Sequence, residues 1–221
     1  MLLDWLALIG ATFGALLPIA NPFSTAPVFV SLTQRMTETR RNQQARMATI
    51  YTTAVLIGAL LAGAIVLEFF GISIPALRIA GGMIVAKVGF GMLNPDPEQA
   101  LTEESAEEAL HMNDIAFTPI AMPLLSGPGS IAVTITMATE VERPREYLAV
   151  AIGIVLVAIT AWLILRSATQ VTRFLGTTGM TALTRLMGFI LVCIGVQFIA
   201  FGLLEAITHP GVTEAIKSAY S

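Results

Sequence analysis

Pro18-Ile19-Ala20-Asn21-Pro22-Phe23-Ser24-Thr25-Ala26-Pro27 lies inside an apolar run and carries three prolines. Pro119-Ile120-Ala121-Met122-Pro123-Leu124-Leu125-Ser126-Gly127-Pro128 repeats its Pro-Ile-Ala-x-Pro-x-x-x-x-Pro pattern, offset by 101 residues at every matched position. Proline has no amide N–H to donate and clashes with the carbonyl four residues back. The spacing therefore predicts freed carbonyls at Gly14, Pro18 and Phe23 in the first copy, and at Ile115, Pro119 and Leu124 in the second. Pro27 and Pro128 each suit the first position of a new half-helix.

The surroundings of these breaks decide what they mean. Of 221 residues, 55% are hydrophobic and 12% are charged, with a mean hydropathy of +0.78. A soluble domain carries about a quarter charged residues, so the composition indicates an integral membrane protein. A span of about 20 helical residues crosses the bilayer core, and six apolar segments are long enough: 5–33, 47–69, 74–93, 115–138, 147–165 and 184–207. Backbone groups in lipid must be satisfied within the segment, and the even alternation of a membrane barrel is absent, so these segments read as helices. The N-terminus lacks a basic leader region, its first charge being Asp4, and reads as a first span rather than a cleaved signal.

A second repeat accompanies the first. Leu77-Arg78-Ile79-Ala80-Gly81 matches Thr184-Arg185-Leu186-Met187-Gly188 through Arg78/Arg185 and Gly81/Gly188, at an offset of 107. Each half thus holds a proline-broken helix, a plain helix and an Arg-x-x-Gly helix. Three spans is an odd number, so the second unit enters the membrane upside down, as in the inverted repeats of secondary transporters. The expected fold is an all-α polytopic membrane protein of six transmembrane helices in two inverted three-helix repeats, 1–93 and 115–221. They are joined by an acidic linker, 94–114, that carries Glu98, Glu103, Glu104, Glu107 and Glu108. Seven basic residues (Arg35, Arg40, Arg41, Arg46, Arg166, Arg173, Arg185) fall at one side and four (Arg78, Arg143, Arg145, Lys217) at the other. That bias places the first set inside and both termini outside.

Irregular backbone at membrane depth is tolerated where it is buried in protein or lines a wet cavity. The residues around the breaks are small and mostly polar: Asn21, Ser24, Thr25, Thr118, Ser126, Gly127, Gly129 and Ser130. They offer hydrogen bonds without filling space, and a half-helix N-terminus among them favours an anionic group such as a carboxylate. The predicted substrate site is built from these eight residues and from the helix-breaking Pro18, Pro22, Pro27, Pro119, Pro123 and Pro128. Arg78 and Arg185 are candidates for gating or coupling, against a plainer role as interfacial anchors. Lys87 reads as snorkelling, Glu68 and Glu205 as interfacial anions, and Gln197 with the glycines Gly81, Gly82, Gly89, Gly91, Gly188 and Gly195 as helix-packing positions.

Other chemistries find little support. Cys193 is the only cysteine, and His111 and His209 are the only histidines, so neither a disulfide nor a histidine metal site is expected. No phosphate-binding loop, Ser-His-Asp set or His-Glu-x-x-His motif is present, and no cofactor or enzymatic activity is expected. The net charge of −3 gives no reason to propose nucleic acid. Membrane lipid is an expected partner, and a homo-oligomer is left open.

Leu17-Pro18-Ile19-Ala20-Asn21-Pro22, the stretch from Gly71 to Gly82, Ala121-Met122-Pro123 with Ser126-Gly127-Pro128-Gly129, and Arg185-Leu186-Met187-Gly188-Phe189 together resemble the MarC family of bacterial and archaeal inner-membrane proteins. The resemblance runs from the first helix to about Leu204. It implies a multi-pass cytoplasmic-membrane protein related to SnatA-like neutral amino acid transporters, with the proline motifs and their small polar neighbours as substrate site. The expected function is secondary transport of a small neutral amino acid by alternating access. The alternative is a membrane-embedded lipid-handling or structural protein without solute transport.

Overall fold

The computed structural model describes residues 2–94, 114–141 and 143–208, and every regular element among them is helical. In chain order these are α1 (Leu2–Ala20), α2 (Pro22–Leu32), α3 (Glu38–Phe70), α4 (Ile74–Leu93), α5 (Ala116–Leu125), α6 (Pro128–Glu140), α7 (Pro144–Arg166) and α8 (Ala168–Thr208). By length and composition, α1, α3, α4, α7 and α8 can each cross a membrane. The pair α5 and α6, bent by 64°, passes as a sixth span if counted together. The predicted linker falls almost wholly outside the described residues, as do His111, His209 and Lys217.

Local chemistry sets the element ends. Thr37 caps α3 by accepting from the Arg40 N–H, so the helix begins at Glu38, well before the expected 47. Gly71, at φ 64°, closes it in a left-handed turn that glycine adopts without a Cβ penalty. Ser73 then caps α4 through the Ala76 N–H, and Pro75 sits in the first turn. The stretch before residue 184, expected as a connection, is instead helical from Ala168. Lacking proline, it is interrupted only at Gly176, at φ 62°.

The most extensive contact is between α4 and α8. They meet along a glycine seam: Gly82 faces Gly195, and Gly89 faces Gly188. A methyl group added at Gly82 would stand 2.6 Å from the Gly195 carbonyl oxygen, and one at Gly89 would stand 2.7 Å from that of Gly188. Gly202 extends the seam, its added methyl 2.9 Å from the Pro75 carbonyl. The seam corrects the sequence match of Gly81 with Gly188. Gly81 turns toward Ala132 of α6, and Gly82 takes the place equivalent to Gly188 because it is the residue whose backbone must touch the opposite helix.

Eight of the other helix contacts fall into four pairs related by exchanging the halves, while among the described residues α1 on α8 and α7 on α8 have no counterpart of that extent. The packing of α1 on α7 answers that of α3 on α5, α3 on α6 answers α2 on α7, α4 on α6 answers α2 on α8, and α1 on α6 answers α2 on α5. Two apolar clusters result. One holds Leu16, Ile19, Leu56, Val85, Val133, Val150, Ile154 and Leu191. The other holds Phe29, Leu32, Ala48, Ile115, Ile120, Leu125, Ile164 and Leu165. Outside the bundle, large apolar side chains such as Leu61, Ile65, Phe69, Phe90 and Phe201 are exposed, the pattern of helices that are apolar all round and face lipid.

The glycine seam sets a stability test. Gly195→Ala should cost about 1–3 kcal/mol by overpacking and lower the thermal midpoint of detergent-purified protein. Gly58→Ala adds a methyl with nothing within 4 Å and should be neutral or gain up to about 1 kcal/mol of helix propensity.

Candidate functional site

Each proline motif breaks the chain, but by a different backbone route. In the first, Pro18 lies inside α1 and the break is Asn21 alone, at φ 34° and ψ 66°. Asparagine tolerates this left-handed region better than most residues. Its side chain then caps α2, accepting from the Ser24 N–H at 3.3 Å, and Pro22 fills the first helical position. Pro22 thus takes the place expected for Pro27, which lies inside α2. Pro128 does open α6 as expected, after Gly127.

In the second motif Met122 stands where the first has Asn21. Methionine has no comparable tolerance of the left-handed region, and a residue before proline is pushed to extended backbone. Thr118 (φ −118°, ψ 126°) and Met122 (φ −123°, ψ 122°) are both extended, and the peptide bonds to Pro119 and Pro123 are cis. The segment closes in wide turns: the Ile120 N–H donates to the Ile115 carbonyl at 3.3 Å, and the Ser126 N–H to Ala121 at 2.8 Å. The Ile115 carbonyl, expected to be freed, therefore has a partner.

Small side chains add hydrogen bonds to backbone acceptors beside the breaks. Ser24 and Thr25 hydroxyls both donate to the Asn21 carbonyl, at 3.1 and 3.3 Å. The Ser126 hydroxyl donates to Ala121 at 2.7 Å, and that of Ser130 to Leu125 at 3.3 Å. Gly127 is held by space, since an added methyl would stand 2.7 Å from the Pro123 carbonyl oxygen. Gly129 lets α6 approach both α1 and α4, its added methyl 3.3 Å from Ile19 and 3.2 Å from Val85. The Asn21 amide reaches the Met92 sulfur on α4 at 3.6 Å.

Asn21 in the first motif and the bend at Ser126–Gly127 in the second lie between the two apolar clusters, whereas Thr118 and Met122 fall within the stretch that belongs to one of them. Leu16–Ala20 and Val133–Val141 fall on one side, Ala26–Leu32 and Ile115–Leu125 on the other. A buried polar belt occupies the gap. It holds the expected Asn21, Thr25, Ser126, Gly129 and Ser130, with Ser24 and Gly127 half-buried at its edge. Thr118 is exposed and stands outside it. Pro18, Pro22 and Pro119 are buried, whereas Pro27, Pro123 and Pro128 are exposed.

Three buried residues of α3 escaped the sequence reading. Thr49 and Thr52 lie between Ala48 and Leu56, at the level of the belt. Gln44 accepts from the Ile115 N–H at 2.9 Å and so holds the start of α5. A polar residue on the inner face of a span was the available signal.

Arg78 and Arg185 do not occupy like environments. The Arg78 guanidinium forks between Glu140 of α6 at 2.6 Å and Glu205 of α8 at 2.8 Å, tying three helices at one end of the bundle. Glu205, expected as a free interfacial anion, is thus one arm of a clamp, and Glu140 was not anticipated. Arg185 is exposed near the opposite end and forms no ion pair with a described residue. Beside the clamp, a cavity of about 820 Å³ is lined by Trp5, Leu8, Met137, Glu140, Val141 and Arg143, among others.

The break at Asn21 is testable by its backbone. Asn21→Ala removes the cap and places a Cβ-bearing residue without a short polar side chain in the left-handed region. The expected loss is about 1–2 kcal/mol, read as a lower thermal midpoint in detergent. Asn21→Gly, which accepts that backbone and caps nearly as well, should lose less.

Comparison with known proteins agrees with this architecture at the level of family. Residues 6–207 match the family described as "MarC family integral membrane protein". The chain is 43% identical over 217 residues to the UPF0056 inner membrane proteins MarC of Escherichia coli O1:K1 and of Escherichia coli strain K12, covering 93% of this chain and 98% of each relative. No solved structure matches. With its several membrane-spanning helices and two proline breaks, the chain belongs to the MarC family of integral membrane proteins.

Proposed function

We propose that this protein is a secondary transporter of a small neutral amino acid, working by alternating access. The observation that carries the reading is the buried polar belt, where two backbone breaks matched in sequence meet between two apolar clusters. Hydroxyl, amide and backbone groups there suit a zwitterion: N–H groups for its carboxylate, carbonyl oxygens for its ammonium. In this conformation the belt is closed, and its polar side chains bond to their own backbone. A substrate would exchange for those bonds as the clusters part.

The two repeats, 1–93 and 115–221 with the segment 94–114 between them, are inverted in this reading. The odd span count and the paired helix contacts support it. The Lys and Arg bias then puts the Arg78 end outside and the Arg46, Arg166 and Arg185 end inside, in the cytoplasmic membrane of a bacterium or archaeon. Arg78 closes the outer end through Glu140 and Glu205, and the adjacent cavity is its vestibule. The inverted relation assigns Arg185 the corresponding part at the inner end in the alternate state.

A second reading keeps the breaks as packing devices in a lipid-handling or structural protein. The internal bonding of Ser24, Thr25, Ser126 and Ser130 favours it. Proteoliposomes loaded with labelled alanine, glycine or serine separate the two. Transport predicts flux of at least one under a proton or sodium gradient, and Ser126→Ala should weaken it. Absence of flux under every gradient would refute transport.

The clamp has its own test. In a Cys193→Ser background, a reporter thiol introduced by Val141→Cys should label about tenfold faster once Arg78→Gln removes the fork, since charge-assisted hydrogen bonds contribute roughly 1.5–3 kcal/mol. Equal labelling would remove Arg78 from the gate.

A further inference from the structure

At the end of the bundle opposite the Arg78 clamp, α3 and α7 enclose a groove in two chambers. The outer chamber, about 450 Å³, is lined by Asn42, Gln43, Arg46, Met47, Trp162 and Arg166. The inner one, about 280 Å³, shares Arg46 and Trp162 and continues between the helices past Ile50, Thr53, Val155 and Ile159. No carboxylate of a described residue lines either chamber. Arg166, which lines the outer chamber, lies over Trp162, its guanidinium carbon 5.3 Å from the ring centroid. Neither Arg46 nor Arg166 forms an ion pair with a described residue.

The two chambers differ in kind. Two guanidinium groups and two carboxamides at the mouth supply an excess of positive charge and hydrogen-bond donors. Below them, Ile50, Val155 and Ile159 are each 41–46% exposed, on a flank where an apolar surface faces lipid. From Arg46 to Thr53 the slot runs about 10 Å along α3. A tryptophan at the junction is the residue that sits at a headgroup boundary.

We propose that this groove binds an anionic phospholipid, its phosphate between Arg46 and Arg166 and one acyl chain in the slot between α3 and α7. Charge selects the occupant: a zwitterionic headgroup brings a cation that the two guanidiniums, neither ion-paired with a described residue, repel, whereas a headgroup such as glycerol phosphate brings none. The inner chamber touches Thr49 at the level of the belt, but the two arginines lie outside the belt and the binding does not depend on transport. Because α3 and α7 each pack on both sides of the belt, a bound lipid would also steady the pair against separation.

The test is native mass spectrometry of the detergent-purified full chain titrated with phosphatidylglycerol or phosphatidylcholine. The wild type should retain phosphatidylglycerol and discriminate against phosphatidylcholine. Replacing both arginines (Arg46→Gln with Arg166→Gln) should weaken phosphatidylglycerol binding about tenfold or more. Arg173→Gln, outside the groove, should leave it unchanged. Ile159→Trp, which fills the slot and keeps both charges, should also weaken binding. Equal retention of the two lipids, or undiminished binding by the double variant, would overturn the site. Full competition by soluble glycerol phosphate, with the Ile159→Trp variant binding like wild type, would overturn the lipid assignment in favour of a free phosphate.

Discussion

Everything in this bundle turns on where its backbone polar groups go once the helices are broken. In a low-dielectric interior an unpaired carbonyl or N–H costs several kcal/mol, by the usual order of magnitude, and the chain breaks twice. At the first break the Asn21 carbonyl accepts from the Thr25 N–H and from the Ser24 and Thr25 hydroxyls. At the second, the Ala121 carbonyl takes both the N–H and the hydroxyl of Ser126. No buried side-chain nitrogen or oxygen among the described residues lacks a partner. The small polar residues are therefore the condition on which the breaks can exist, before any ligand is considered.

The same condition explains why the two halves are alike in plan and unlike in detail. Glycines along α4 and α8 let the third helices of each half touch backbone to backbone, and the contact Gly82–Gly195 becomes Gly188–Gly89 when the halves are exchanged. Yet Asn21 in one half and Met122 in the other force different solutions at the break, one left-handed residue against a run of wide turns. The ends differ as well. One is tied by Arg78 through two carboxylates, while Arg185 at the other is exposed. The described ends of the bundle are therefore unlike: one is closed by charge, and the belt is closed by packing.

Much of this was legible in the residues. Composition and run length identified membrane helices, because lipid leaves the backbone few alternatives. The duplicated prolines located both breaks to within a few residues, because proline removes a donor wherever it stands. Placement within each break was less legible. Pro27 had the right local signature for a helix start, but Pro22 and the Asn21 cap preceded it and began the helix first. Thr118 matched the polar pattern and yet faces outward, beside the exposed Phe117.

By itself, then, the sequence determined the membrane class and where along the chain the two proline breaks fall, both of which follow from local backbone chemistry. Only the tertiary structure decided which polar residues share the belt, that Gly82 rather than Gly81 lies in the seam, that Arg78 closes on Glu140 and Glu205, and that Arg46 and Arg166 flank one groove. Those partners are 62 and 127 residues from Arg78 and lie on different helices. Their meeting depends on helix rotation and register, which packing sets and no local pattern encodes.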